Sequence, residues 1–599
     1  MATATTATLS SLPDEVLHII LSHSPFTTAL ALEQTCRRFD SEANAPLLWR
    51  LYCLRDFKFW DQRHELPRKL AEHVSSVNWK ELYALRRRID VVTTRTLDSI
   101  LATQTGRIEK FHQIVEFGYD AKDTLLRHAA AGEEDWEDDL ARRYYSIAVL
   151  GCLHRTMAIP VWNQLRNFEN VPLERALGAF DMFILETGPG DFDDISTRLD
   201  RIVTQLTTQH PYIMELSPRD RAKTIAVYLR ANDLTGIEPG REYYNIEHNF
   251  LGVALMNRGH NSLPLISAAI YCYVAQRLGL NAHPCGFPFH VHVIIQPADG
   301  YDMNGYRLRD GSEPGDPMYM DPFRSAEETH VSELREQLNF LGALTLSRST
   351  FLRESVAPEI VLRCGKNILN SVFQTPRVRN SSLDPVSVKY AALWSSMLFA
   401  EYTSPEGHLP GNPPPRRAGH LPLRRHLTPL MENFFNYFPW DVYLVEQYLI
   451  PLFEEVPEYV PIQDNMRVLR ASDEMPKQVR RRLPEHKSVK YKVGQVFRHR
   501  RYDYVAAIIG WDAECGADEG WMQQMRIDEL PRGRKQSFYH VLVADKTVRY
   551  VAEENIGPIS PELSQLPPSF VNLAGKHFKR WDAESRMFVS NVRDEYPDD

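Results

Sequence analysis

At 599 residues the chain is long enough for roughly three to five domains, and 43% apolar with 25% charged residues is an ordinary globular composition. Collagen, a coiled-coil rod and a wholly disordered chain are excluded. Lys plus Arg number 69 against 78 Asp plus Glu, a net charge of −9, which does not favour bulk nucleic-acid binding but leaves room for one basic domain. The seven cysteines are too few for a disulfide scaffold, and none form the CxxC pair of a structural zinc site. Their odd number suits a reducing compartment. No apolar run reaches the roughly 18–20 residues that span a bilayer, and MATATTATLSSLP lacks the charged start and apolar core of a secretory signal. The expectation is a soluble cytoplasmic or nuclear protein, without a cofactor or a bound metal, and with no membrane partner.

The line LSSLPDEVLHIILSHSPFTTALALEQTCRRFDSEANAPLLWRLYC opens with Pro13 in a first turn, where its missing N–H costs nothing. Asp14 and Glu15 follow where the helix dipole favours negative charge. Val16 with Ile20, and Leu17 with Leu21, are four apart on a helix. A second helix carries Leu30, Leu32 and Cys36 into Phe39, and a third starts near Pro46 with Leu47, Trp49, Leu51 and Tyr52. Three short helices bury too little surface to stand alone, so they pack on the rest of the chain or offer an apolar face to a partner. LPDEVLHIIL, CRRF and the terminal LW, in that order over residues 9–55, resemble an F-box. The resemblance implies docking on the Skp-type adaptor of a cullin–ubiquitin ligase, with Leu12, Pro13, Leu17, Ile20 and Leu21 facing the adaptor.

Residues 95–350 hold a long mixed segment. Leu263–Leu278 is apolar almost all round, as in a buried helix, and Gly279 stops it. The run after Pro288 alternates, so His290, His292 and Ile294 share one strand face, and a short strand near MYMDPF brings in Asp321. Scattered Cys, His and Asp fit many mixed domains, and a strand histidine is more often structural than catalytic. YYNIEHNFL, NRGHNSLPLISAAIYCYVAQRLGL, GFPFH and DPF resemble the SirB-type branch of the transglutaminase-like superfamily, across roughly 170–325. LRCGKNILNSVF at 362–373 resembles the helical tail of that branch, within a helical extension spanning 358–465. The resemblance gives His290 and Asp321 the places of the family His and Asp, and puts Pro264 where an active member has its cysteine. Proline supplies no nucleophile, which implies a binding or structural scaffold without intrinsic catalysis. Cys285 in a loop, Cys272 in the apolar helix and His292 remain as substitutes for a cysteine hydrolase or transferase. LPGNPPPRRAG at 409–419, with four prolines and two glycines, interrupts the helical extension and reads as an exposed loop.

Residues 490–560 have strand chemistry. Val505–Ile509 reads as a buried strand ended by Gly510, Tyr539, Val541 and Val543 alternate with His540 and Leu542, and Asp545-Lys546 suits a hairpin turn. Short strands with turns every 8–12 residues suggest a small curled sheet or barrel. KVGQVFRHRRYDYVAAIIGWD, FYHVLV and RYVAEENI resemble the YccV-like, hemimethylated-DNA-binding-like family. For a DNA-binding role stands the run Lys477, Arg480, Arg481, Arg482, Lys487, Lys490 and Lys492, with Arg498, Arg500 and Arg501. Against it stand the absence of a base-reading helix and the usual solvated character of such runs. The fold expected is multidomain α+β: a three-helix head, a mostly helical transglutaminase-like middle with a helical tail, and a small β-barrel-like C-terminal domain. The function expected is substrate recognition for an SCF-type ubiquitin ligase, the protein substrate being unknown. DNA binding and cysteine chemistry are the alternatives.

Overall fold

A computed structural model describes residues 9–309, 313, 315–340, 351–374, 382–400, 421–482, 489–545 and 547–599. The proline-rich stretch 409–419, Lys487 and Lys546 lie outside the described residues. The chain divides into two compact units, Met1–Leu153 with Val468–Asp599, and His154–Arg467.

The head of the first unit has four helices, not three: α1 (Asp14–His23), α2 (Phe26–Glu33), α3 (Arg37–Ala43) and α4 (Pro46–Asp56). The expected helix through Leu30 and Phe39 breaks because Cys36 adopts extended backbone (φ −157°) and starts α3. Arg38 then reaches back to the start of α1. Its guanidinium pairs with Asp14 at 2.5 Å and donates to the carbonyls of Ser10, at 2.6 Å, and Leu12. The Cys-Arg-Arg motif therefore fixes the Leu-Pro-Asp-Glu start. Leu17 and Leu21 enter one core with Ala29, Leu48, Trp49, Tyr52 and the residues Trp79, Leu82 and Tyr83 of the helix Trp79–Ala102. The Trp49 indole N–H donates to the Ala43 carbonyl and the Tyr52 hydroxyl to the Leu21 carbonyl, both at 2.7 Å, so these large rings bury without stranding a polar atom.

Beneath this head lies a buried charge network. Arg86 is fully buried, 3.1 Å from carboxylate oxygens of both Asp120 and Asp123, and its guanidinium stacks over Phe57 and Trp60. Asp120 also takes a 2.6 Å contact from His64 Nε2 and a backbone N–H from Asp61. Segments distant in sequence are thus held on one guanidinium.

The C-terminal part of the first unit has five antiparallel strands, β5 to β9 in chain order: Val496–His499, Val505–Asp512, Phe538–Val543, Val548–Ala552 and Ile556–Pro558. They follow β1 to β4 of the second unit: Asn281–Cys285, His292–Gln296, Met318–Met320 and Glu328–Thr329. The five-stranded order is β8-β7-β6-β5-β9, a small open sheet with β8 and β9 at its edges. A bulge at Ile508/Gly510 bends β6. Glycine is required there, since a Cβ at Gly510 would meet the Tyr596 hydroxyl at 2.6 Å. A further hairpin, β10 (Phe578–Asp582) with β11 (Met587–Ser590), closes over the core, which also takes in Leu140.

In the second unit β1 to β4 form an antiparallel sheet in that order, packed against the buried helix Pro264–Arg277. The helices Leu173–Ile184, Ala357–Gln374 and Pro385–Leu398 build the rest of its core. Arg155 pairs with Asp441 through two bonds of 2.6 and 2.9 Å, both side chains buried. Asp181 accepts the Val253 N–H at 3.1 Å, at the start of the helix Leu251–Met256.

Two outcomes follow from these buried charges. Arg86→Ala takes the guanidinium away from buried Asp120 and should cost about 3–5 kcal/mol, seen as faster hydrogen exchange in residues 57–64 and 118–123; Arg86→Met with Asp120→Leu should recover part of it. Burial pushes the Asp181 carboxyl up to about 7, against the hydrogen bonds from Gly252 and Val253. Because the folded state holds this proton more tightly than the unfolded chain, its contribution is full below about pH 4 and is lost as pH rises through about 7. Asp181→Asn should therefore gain stability over its parent between pH 4 and 8, by at most about 4 kcal/mol, measured by denaturant titration at each pH.

Candidate functional site

The site of the second unit lies where β2 and β3 begin and end. Strand β2 starts at His292, not at His290. The intervening residues form a tight turn in which the His290 N–H donates to the Pro288 carbonyl at 2.8 Å, with Phe289 at φ +64°. An i to i+2 bond around a positive φ is the rare, strained form of the γ-turn. It turns the Phe289 ring outward, 86% exposed, and His290 inward. The Nε2 of His290 meets Asp321 Oδ2 at 2.8 Å, Asp321 standing one residue past β3. Antiparallel register sets Cys285 opposite His292 and Val293 opposite Met320. The His292 ring packs 5.0 Å from the His290 ring and 5.1 Å from Phe287.

The electrostatics separate the groups. Burial pushes the His292 imidazole down to about 4, so the ring is neutral at pH 7. Burial acts to raise the Asp321 carboxyl, but the hydrogen bonds from His290 and from the backbone N–H of Arg324 outweigh it and hold the group below the usual carboxylate range. Asp321 is therefore an anion at neutral pH. Phe323 lies edge-on to His290 at 5.8 Å and to Tyr243 at 6.1 Å, and Arg324 Nε comes within 4.0 Å of Asp321.

The candidate nucleophiles stand apart from this pair. Pro264 is the first residue of its helix, buried, and has no reactive atom. Cys272 lies in the same helix, where burial pushes its thiol far above the usual range. Cys285 belongs to β1, not to a loop; its thiol donates to the Phe351 carbonyl at 3.2 Å, and burial pushes it up to about 12. Both cysteines are protonated at neutral pH, and a thiol is a poor nucleophile. The arrangement holds an oriented His–Asp pair without an activated sulfur beside it.

In the head, α1 has two faces. Leu17 and Leu21 are fully buried in the chain's own core, so they hold the head together and are not available to an adaptor. The other residues expected to meet a partner, Leu12, Pro13 and Ile20, are partly or fully exposed. Val16 and Ile19 lie on the same outward face, Ile19 being 57% exposed, and Leu9 and Leu47 are also exposed. The 3.6 period could have found Val16, three residues from Pro13 and four from Ile20, and Ile19, three residues from Val16. Phe289 carried no sequence signal, because a strained turn is invisible to periodicity.

Four of the ten residues of the C-terminal basic run are paired with carboxylates of the chain. Arg480 pairs with Asp512, Arg481 meets Asp598 at 3.1 Å, Arg482 meets Asp599 at 2.7 Å and Arg498 meets Asp503 at 3.2 Å. Arg500, Arg501 and Arg532 line a shallow depression with Glu554 and Asn555.

Comparison with known proteins agrees with this division. Residues 9–55 match the F-box-like family model, residues 193–365 the transglutaminase-like superfamily, and residues 489–585 the family of hemimethylated DNA-binding protein YccV like. The chain is 23% identical to proteins named F-box only protein 21 from Homo sapiens, Pongo abelii and Mus musculus, over 99% of this chain and 92% of each relative. No solved structure matches it. Among the described residues no helix is long and apolar enough to cross a membrane. The chain thus carries, in order, an F-box-like head, a transglutaminase-like segment and a YccV-like segment, the first and last belonging to one compact unit.

Proposed function

We propose that this chain is the substrate-recognition subunit of an SCF-type ubiquitin ligase. Its F-box-like head docks on a Skp-type adaptor and hence a cullin, while the transglutaminase-like and YccV-like parts present a protein substrate. The observation that carries the reading is the division of α1. Leu17 and Leu21 complete the head from within, and Val16, Ile19 and Ile20 remain exposed, as do Leu9 and Leu47. An apolar strip on a self-supporting head is what a partner covers. The chain then contributes proximity, holding substrate near the charged ubiquitin, and needs no chemistry of its own. Seven free cysteines fit the reducing cytoplasm or nucleus such an assembly occupies.

Ile19→Asp with Ile20→Asp puts two charges on the strip without touching the core. In pull-downs with a purified Skp-type adaptor the parent should be retained, and the variant should lose at least tenfold in affinity at unchanged helicity; a parent that fails to bind, beside an F-box control that does, removes the reading.

The same proposal assigns no thiol chemistry to the middle part. A thiol-reactive probe at pH 7 should label exposed Cys36 and partly exposed Cys515, leaving Cys272 and Cys285 unmodified until the protein is denatured. Fast labelling of Cys285 in the native chain, abolished by His290→Ala, would instead support a cysteine hydrolase.

A further inference from the structure

We propose that His290, His292 and Asp321 form a binding site for a divalent first-row transition ion of borderline softness, zinc being the probe. One ligand atom from each side chain lies within 4.8 Å of the other two, and this is the one such trio of His, Cys, Asp or Glu among the described residues. Zinc bonds of about 2.1 Å in a tetrahedral shell place ligand atoms roughly 3.4 Å apart. The His290 Nε2 to Asp321 Oδ2 separation of 2.8 Å must open slightly, and the longer separations must close by little more than an ångström.

A second observation points the same way. His292 is only 3% exposed, and its Nδ1 is buried with no hydrogen-bond partner. A buried ring nitrogen without a partner carries an uncompensated desolvation cost. Asp321 and His290 already hydrogen-bond each other, so a structural role for that pair leaves His292 unexplained. A coordinated ion explains all three.

The backbone supports the arrangement. Register holds His292 on β2 beside β3, which delivers Asp321, and the strained turn at Phe289 swings His290 towards both. Backbone strain next to an inward-facing imidazole is common at ligand sites. Two imidazoles with one carboxylate form the donor set of three-ligand zinc sites, which keep a fourth position for water or an incoming group. Opposing the cation are Arg324, 4.0 Å from Asp321, and Arg363, whose guanidinium donates to the Phe287 carbonyl. The Arg324 side chain is 63% exposed, so water screens its repulsion. The site is therefore weaker than an all-acidic cage but specific in its donors. No sulfur is involved and Pro264 is no obstacle, so the inference is independent of the ligase reading.

The test uses the full chain, stripped with a chelator and dialysed. Calorimetric titration with zinc should show one saturable equivalent, and zinc should raise the thermal midpoint. Cobalt(II) should give the visible ligand-field bands of a low-coordinate nitrogen and oxygen shell. His292→Gln and Asp321→Asn should each lower zinc affinity by at least the roughly tenfold that loss of even an outer partner costs, while His540→Gln, on the other unit, retains it. If either site variant misfolds by circular dichroism, the cobalt spectrum of the parent decides. Absence of a saturable equivalent, an all-water cobalt spectrum, or full zinc binding in both folded site variants would overturn the proposal.

Discussion

The packing of Leu17 and Leu21 against Trp49, Tyr52 and Tyr83 is the contact on which the head depends. Fully burying each leucine contributes about 1.5–3 kcal/mol, and the aromatic rings lie 5–6 Å apart in edge-on and tilted geometries that add to it. A helix of ten residues would not persist alone in water. Packed against α2, α3 and α4, it persists by burying Leu17 and Leu21, while Val16, Ile19 and Ile20 on its outer side stay uncovered. A head completed by its own chain and still hydrophobic outside is a different object from one that folds only on its partner. It can exist before binding, and its outer strip is preorganised rather than induced.

The middle part holds its His–Asp pair independently of the helix that begins at Pro264. Pro264 costs the helix nothing, because proline at a first helical position gives up an N–H that had no partner. The sheet still brings His290 and Asp321 to 2.8 Å, since that contact comes from register and turn geometry rather than from the helix. The pair is therefore no evidence of sulfur catalysis: the two cysteines nearest in sequence are buried, protonated and bonded elsewhere or enclosed.

Much of this was legible in the sequence. Pro13, the acidic first turn and the four-residue spacings located α1, and alternation located β7 to within a residue and the start of β6, which runs on through Gly510 to Asp512 instead of stopping there. The direction in which α1 turns its leucines was not legible. Leu17–Leu21 and Val16–Ile20 are equally good stripes, and only the packing of α2, α3 and α4 against α1, with Trp49 and Tyr52 in the shared core, decides which is buried. The break at Cys36 was hidden for a similar reason, because it serves Arg38 reaching back to Ser10 and Asp14. Phe289 escaped because alternation assumes extended backbone, whereas the turn has φ +64° and shifts the start of β2 by two residues.

The basic run near residue 480 shows most clearly why composition alone misleads. Counted along the chain, Arg480, Arg481 and Arg482 are three adjacent positive charges of the kind that meets a phosphate backbone. In the fold they meet Asp512, Asp598 and Asp599 instead, and the Arg480 N–H donates to the Glu595 carbonyl. Exposed pairs of this type contribute little, about 0–1 kcal/mol each, so the anchoring must come from the enclosed one. The Asp599 carboxylate is nearly fully buried, holding Arg482 Nε with one oxygen and the Trp511 indole N–H with the other, each at 2.7 Å, while the rest of the Arg482 fork donates to the carbonyls of Val489 and Tyr491. A nucleic acid could claim Arg481 cheaply, but Arg482 only by leaving a carboxylate and an indole N–H buried without partners. The run is thus a strap that closes the C-terminal core, and its charge belongs to the fold before it belongs to any ligand.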